Sequence, residues 1–240
     1  MVQSKATIFL ADDRTLNETA WYRSQHTFNL DKQQQRFKEP FGNLYILNDD
    51  ILDGGKTLEM RAAEFSYVVL LPVIGALSFI DSGGQEGLLA AGQVEFLCLE
   101  KNGKLWITNP FKDELVNFIQ VWIKGSKPAK QAEAVNSTID INKFQNSLMK
   151  ISPQRIGGEL SPYSLSIGKF SGRGEAVYHL PGSSAGVFVF VLEGAFEVDG
   201  RLLHARDGLA IYETEEIEME ALSRDAIIML VELPVILPVV

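Results

Sequence analysis

Short runs dominated by apolar residues, or alternating apolar with polar, recur along the chain, and each is closed by Gly, Asp, Asn or Pro. "NLYILN" (Asn43–Asn48), "EFSYVVLLPV" (Glu64–Val73), "ALSFID" (Ala76–Asp81) and "NFIQVWI" (Asn117–Ile123) are rich in aromatic and aliphatic β-formers. In "EEIEMEALS", Ile217, Met219 and Ala221 alternate with Glu216, Glu218 and Glu220, the pattern of a strand with one wet face. Such spacing predicts a sandwich or barrel rather than βαβ units, which would place helical patterns between the strands. Helical periodicity is sparse. It is clearest in "IDINKFQNSLMKI", where Ile139, Phe144, Leu148 and Ile151 fall at roughly helical intervals before a Ser-Pro stop.

That helical stretch follows a Lys/Ala/Gln-rich segment, Lys124–Asn136, with the composition of a linker. The expected organisation is therefore an N-terminal β-domain over 1–125, a partly helical linker over 126–152 and a C-terminal β-domain over 153–240. The two β-domains resemble each other. "GALSFIDSGGQEGLLAAGQVEFL" from Gly75 and "GAFEVDGRLLHARDGLAIYE" from Gly194 both run Gly-Ala, short strand, Gly-containing turn, Leu-Leu, then a second Gly turn and strand. A repeat of this length predicts two copies of one β-unit.

Composition narrows the function. The chain has 240 residues, 46% hydrophobic and 22% charged, and a net charge of −9, which argues against binding a phosphate backbone. The longest positive cluster, "KGSKPAK" (Lys124–Lys130), reads as solvated linker. Cys98 is the single cysteine and lies in the apolar "VEFLCLE", so a buried inert thiol is expected, with no internal disulfide. No run approaches the roughly 20 apolar residues of a membrane span, and the N-terminus lacks a signal-peptide core, so a cytoplasmic protein without membrane contact is expected.

An ordered set of short pieces resembles the pirin family of two-cupin proteins, which includes bacterial members with quercetin 2,3-dioxygenase activity. The pieces are "HTF" (His26–Phe28), "FGNLYILNDD" (Phe41–Asp50), "DS" (Asp81, Ser82), "AG" (Ala91, Gly92), "NP" (Asn109, Pro110), "QVWI" (Gln120–Ile123) and "DGLAIYE" (Asp207–Glu213). They span nearly the whole chain apart from the apolar tail "VELPVILPVV". The resemblance implies an all-β fold of two double-stranded β-helix (cupin) barrels joined by a short helical linker. It also implies a divalent metal in the first barrel, held by a His-x-His pair and a later His-x-Glu pair whose members, at i and i+2, point to the same side of a strand.

Counting along the resemblance places the His-x-His pair on Arg61 and Ala63, and the His-x-Glu pair on Leu105 and Ile107. None of these side chains ligates iron, copper or nickel, because arginine is a permanent cation and the others carry no lone pair. No cofactor is therefore expected. His26 lies in the early piece, and His179 and His204 have no partner at i±2. Strand parity puts Glu59 on the face of Arg61, and the pocket candidates are Arg61, Ala63, Leu105, Ile107 and Glu59. Arg61 either pairs with an acid such as Glu59, Glu64 or Glu95, reaches solvent, or anchors an oxyanion in an apolar barrel. Trp106, between Leu105 and Ile107, should face away from the interior. Asp49 and Asp50 are expected in a turn, and "GGKT" (Gly54–Thr57) lacks the rest of a phosphate loop.

These readings favour a metal-free, non-catalytic pirin-like protein acting through protein contacts or through a small anionic or aromatic ligand, as monomer or homodimer. A divergent cupin oxygenase using Arg61 with Glu59 or Glu64 is the rival. The tail is expected to pack as an arm on a barrel or on a second subunit.

Overall fold

The structure is a computed structural model that describes residues 4–28, 39–128, 135–138, 145–182 and 185–234, with 135–138 described by backbone alone. Among these residues the regular elements are antiparallel β-strands, apart from one 3-10 turn at Ala11–Asp13. None of the described helices is long and apolar enough to cross a membrane. The strands fall into two units.

One unit comprises residues 15–139 with 155–160. Its large sheet runs Val135–Thr138, Gln93–Leu99, Ser66–Ile74, Val116–Lys124, Leu44–Leu52, Tyr22–His26, Thr15–Glu18. Its small sheet runs Thr57–Arg61, Lys104–Thr108, Ala76–Asp81, Glu86–Ala90. The two sheets share one core, to which the large sheet gives Leu52, Val68, Leu70, Phe118 and Trp122 and the small sheet gives Leu58, Leu77, Phe79, Leu105 and Ile107.

The other unit comprises residues 1–14, 140–154 and 161–240. Its large sheet runs Lys5–Phe9, Gly208–Tyr212, Ala185–Glu193, Ala226–Pro234, Ser164–Phe170, Met149–Lys150. Its small sheet runs Glu175–His179, Glu216–Ala221, Ala195–Val198, Arg201–His204. Val187, Val189, Leu209, Ile228 and Leu230 meet Phe196, Leu203, Ile217 and Met219 in its core. In both units the central strands of the large sheet are buried at positions of both parities, as at Ile119 and Gln120 or Phe188 and Val189. Hence runs such as "VFVFVL" are continuous rather than alternating. Gly75 and Gly194, the anchors of the repeat, both take positive φ (82° and 79°) between corresponding strands.

Three expectations change. The first 14 residues belong with the C-terminal unit, because Lys5–Phe9 pairs with Gly208–Tyr212 along its full length. Val135–Thr138, expected as linker, adds a strand to the edge of Gln93–Leu99, while residues 129–134 lie outside the described residues. The expected helix over 139–151 lies outside them as far as residue 144. From Gln145 onward the chain is not helical, and Met149–Lys150 pairs with Ile167 and Ser166. That stretch crosses close over Gly168, where a Cβ would stand 2.6 Å from the Ser147 carbonyl oxygen. Tertiary pairing has overridden a weak local periodicity. Of the tail, Val231–Pro234 completes the Ala226–Pro234 strand, and the expected arm over 235–240 lies outside the described residues.

Candidate functional site

The sequence "TLEMR" (Thr57–Arg61) alternates polar with apolar side chains, and the strand it forms obeys that alternation. Against Lys104–Thr108 the register is Arg61 with Lys104, Met60 with Leu105, Glu59 with Trp106 and Leu58 with Ile107. Paired residues share a face. Leu58, Leu105 and Ile107 are buried in the core, and Met60 packs against it. Glu59 and Arg61 stand on the exposed face.

The placement of Arg61 and Ala63 in the interior is thereby corrected. Both are exposed, and the Arg61 guanidinium donates to Asn102 Oδ1 at 3.2 Å. Burying a guanidinium in place of the Met60 thioether would carry a desolvation cost with no compensating partner. An oxyanion held by Arg61 inside the core is ruled out by the same geometry. The residues beside Leu105 and Ile107 on the neighbouring strand are Met60 and Leu58.

Glu59 organises the outer face instead. Its carboxylate meets Lys104 Nζ at 2.7 Å and accepts from Trp106 Nε1 at 2.9 Å, while Lys104 lies 5.6 Å from the Trp106 ring centroid. The Lys104 contact, then that of Trp106, holds the Glu59 carboxyl below its ordinary range. Trp106 faces away from the interior, as its parity predicts. Exposed pairs of this kind contribute little to stability.

The interior holds polar groups that were not expected. Asp49 and Asp50 lie within the nine-residue strand Leu44–Leu52, not in a turn. Asp50 pairs with Phe118 and so shares its inward face, while Asp49 turns the other way and accepts from Asn117 Nδ2 at 2.6 Å. Asp50 is fully buried and accepts from the Tyr22 hydroxyl at 3.0 Å and from Gln120 Nε2. Gln120 Oε1 in turn accepts from Trp122 Nε1 at 3.0 Å. Burial pushes the Asp50 carboxyl up to about 6, against the opposing pull of these hydrogen bonds. Burial, then the Asp50 charge, raises the Tyr22 phenol above its ordinary value. A carboxyl at the centre of a satisfied hydrogen-bond chain fixes the positions of four side chains from three strands.

The remaining reactive side chains are scattered. His26 is half-buried, and burial lowers its pKa, whereas His179 and His204 are exposed. The Cys98 thiol is pushed up to about 11 by burial and by Glu100, so it is a poor nucleophile. Among the described residues no group of three or more His, Cys, Asp or Glu is arranged to hold a metal ion.

Residues 162–233 match the quercetinase C-terminal cupin domain family. The chain is 22% identical over 229 residues to a quercetin 2,3-dioxygenase of Escherichia coli strain K12, covering 93% of this chain and 96% of that one. It is 24% identical over 222 residues to a putative quercetin 2,3-dioxygenase of Pseudomonas aeruginosa, covering 88% and 92%. Among solved structures, the bacterial pirin YhhW of Escherichia coli in complex with nickel(II) superposes with a TM-score of 0.81 at 20% identity, over 97% of this chain and 100% of the other. Those likenesses extend across both units, and together with the two-sheet architecture they make the fold that of a cupin. The chain is similar along its length to pirin-like cupins, and residues 162–233 match that family's C-terminal domain.

Proposed function

We propose that each unit is one cupin barrel, so that the chain is a bicupin, and that its first barrel has lost metal-dependent oxygenation and serves a protein that works by binding a small molecule or a protein partner. One observation carries this reading. The inward-facing i, i+2 pairs that lie side by side on Thr57–Arg61 and Lys104–Thr108 are Leu58 and Met60 beside Ile107 and Leu105. The resemblance places the family's His-x-His and His-x-Glu pairs at Arg61 and Ala63 and at Leu105 and Ile107, and neither these residues nor the neighbouring Leu58 and Met60 supply such a ligand set. Leucine and isoleucine offer no lone pair, and a lone thioether is a weak donor for nickel(II) or iron(II). The residue set does not fit the metal that the family implies, and no oxygenation step is derived through it. The half-buried single Cys98 suits a reducing compartment, which supports a cytoplasmic location.

The test is metal content and turnover together. Protein produced in medium supplemented with nickel, iron or copper is purified without chelator, its metals are measured by mass spectrometry, and oxygen uptake is followed with quercetin. The expected result is metal far below one ion per chain and no sustained uptake. Stoichiometric metal, or turnover that rises with metal loading, would overturn the reading.

A further inference from the structure

The C-terminal unit has a cleft of about 530 Å³ between Glu175–His179, the edge strand of its small sheet, and the adjoining Ser164–Phe170 and Met149–Lys150 strands of its large sheet. Register fixes what lines it. Glu232 lies opposite Ser164 and Leu230 opposite Ser166, and Leu230 belongs to the core, so Ser164, Ser166 and Glu232 all face inward. From the other sheet Tyr178, opposite core residue Ile217, points the same way. The Tyr178 hydroxyl donates to Glu232 Oε2 at 2.7 Å, and Ser164 and Ser166 line the cleft beside it. Burial, then the hydrogen bond to Glu232, raises the Tyr178 phenol well above its ordinary value, so the phenol stays protonated and oriented.

By strand pairing, Tyr178 holds in this unit the place that Met60 holds in the other, since each stands opposite the corresponding residue of its partner strand, Ile217 or Leu105. The interior position that is apolar in one unit is thus polar and beside a cleft in the other.

We propose that this cleft binds a small neutral molecule carrying vicinal hydroxyl groups, which donate to Glu232 while the carbon face rests on Tyr178, Ala176 and Leu148. The chemistry of the lining selects that class. A carboxylate has about four acceptor positions, and Tyr178 takes one of them, so two donors side by side are matched. Glu232 repels an anion, while Lys150 on the exposed rim disfavours a cation. The ring of Tyr178 and the aliphatic Ala176 and Leu148, which pack on the core, supply the apolar wall that a small-molecule site needs. This gives the ligand-binding reading above a location, and it does not depend on whether the other unit holds a metal.

The test uses the full chain and isothermal titration calorimetry. The probes are 4-methylcatechol and methyl α-D-mannopyranoside, one aromatic and one sugar vicinal diol, with p-cresol, benzylamine and benzoate as single-hydroxyl, cationic and anionic controls. At least one diol is expected to bind at least tenfold more tightly than every control, and whichever diol binds tells which source the cleft prefers. Glu232→Gln and Tyr178→Phe are expected to weaken that diol tenfold or more. Ala176→Phe, which fills the cleft without touching its polar groups, is expected to abolish binding and decides the matter if Glu232→Gln does not fold. Failure of both diols, a control that binds as tightly as they do, or unchanged binding in Ala176→Phe would overturn the proposal. None of these outcomes alters the metal measurement.

Discussion

Asp50 should make stability fall as pH rises through mild acidity, and Asp50→Asn should remove that slope. The carboxyl is fully buried, and its pKa stands at about 6 against an ordinary value of 3.8. A tenfold change in proton affinity is worth about 1.4 kcal/mol, so the difference amounts to roughly 3 kcal/mol. The sign follows from proton counting. Between pH 4 and 6 the folded chain keeps a proton on Asp50 that the unfolded chain has released, so the stabilisation is complete below about 4 and is lost as pH rises through about 6. Asparagine has a similar volume and does not titrate. Tyr22 and Gln120 donate to different oxygens of Asp50, and the amide nitrogen that replaces one of them sets a donor against a donor, which costs about 1–3 kcal/mol at every pH.

Urea unfolding followed by tryptophan fluorescence, at intervals from pH 4.5 to 8, measures both curves. The stability difference, wild type minus variant, should shrink by about 2 kcal/mol between pH 4.5 and 8, the part of the roughly 3 kcal/mol that this window samples. The wild-type curve alone does not decide the matter, because His26, whose pKa is lowered by burial, tilts it the opposite way near neutrality. Parallel curves, or a difference that grows with pH, would refute the assignment of a raised carboxyl to Asp50.

Arg61→Ala should change stability by no more than about 0.5 kcal/mol, whereas Leu105→Ala should cost about 2–5 kcal/mol in the same assay, since the first side chain is exposed and the second is fully buried. The reverse ranking would return Arg61 to the interior. Gly168→Ala places a Cβ 2.6 Å from the Ser147 carbonyl oxygen and should cost about 1–3 kcal/mol. It should also weaken diol binding at the cleft that Ser147 and Leu148 help to line, as read by calorimetry.

Much of the fold was legible because its central strands announce themselves. Runs such as "SYVVLLPV" can hardly satisfy any other role, and the parity that turned Trp106 outward and Leu105 inward needed only alternation. The same rule was available at "TLEMR", where Leu58 and Met60 are the apolar members and Arg61 and Glu59 the polar ones. Counting from distant anchors drew attention to Arg61 and Ala63, which the fold leaves exposed, because a count carries no information about which side chains are buried. Asp50 was misread for a different reason. Three polar residues in a row look like a turn unless their partners are known, and Tyr22 and Gln120 come from elsewhere in the chain. Tyr178 and Glu232 were invisible on the same grounds, being brought together only by the closing of two sheets.

The pairing of Lys5–Phe9 with Gly208–Tyr212 has a consequence for the order in which the protein comes into being. During synthesis the first strand emerges about 200 residues before its partner, a wait of about 10–40 seconds at ordinary translation rates. The intervening residues 15–139 can fold in that interval, while the opening strand stays unpaired. The C-terminal unit is therefore sealed last, by a strand made about 200 residues before its partner. A fragment cut at residue 152 would leave Gly208–Tyr212 as an open edge, primed to recruit the same edge from another molecule.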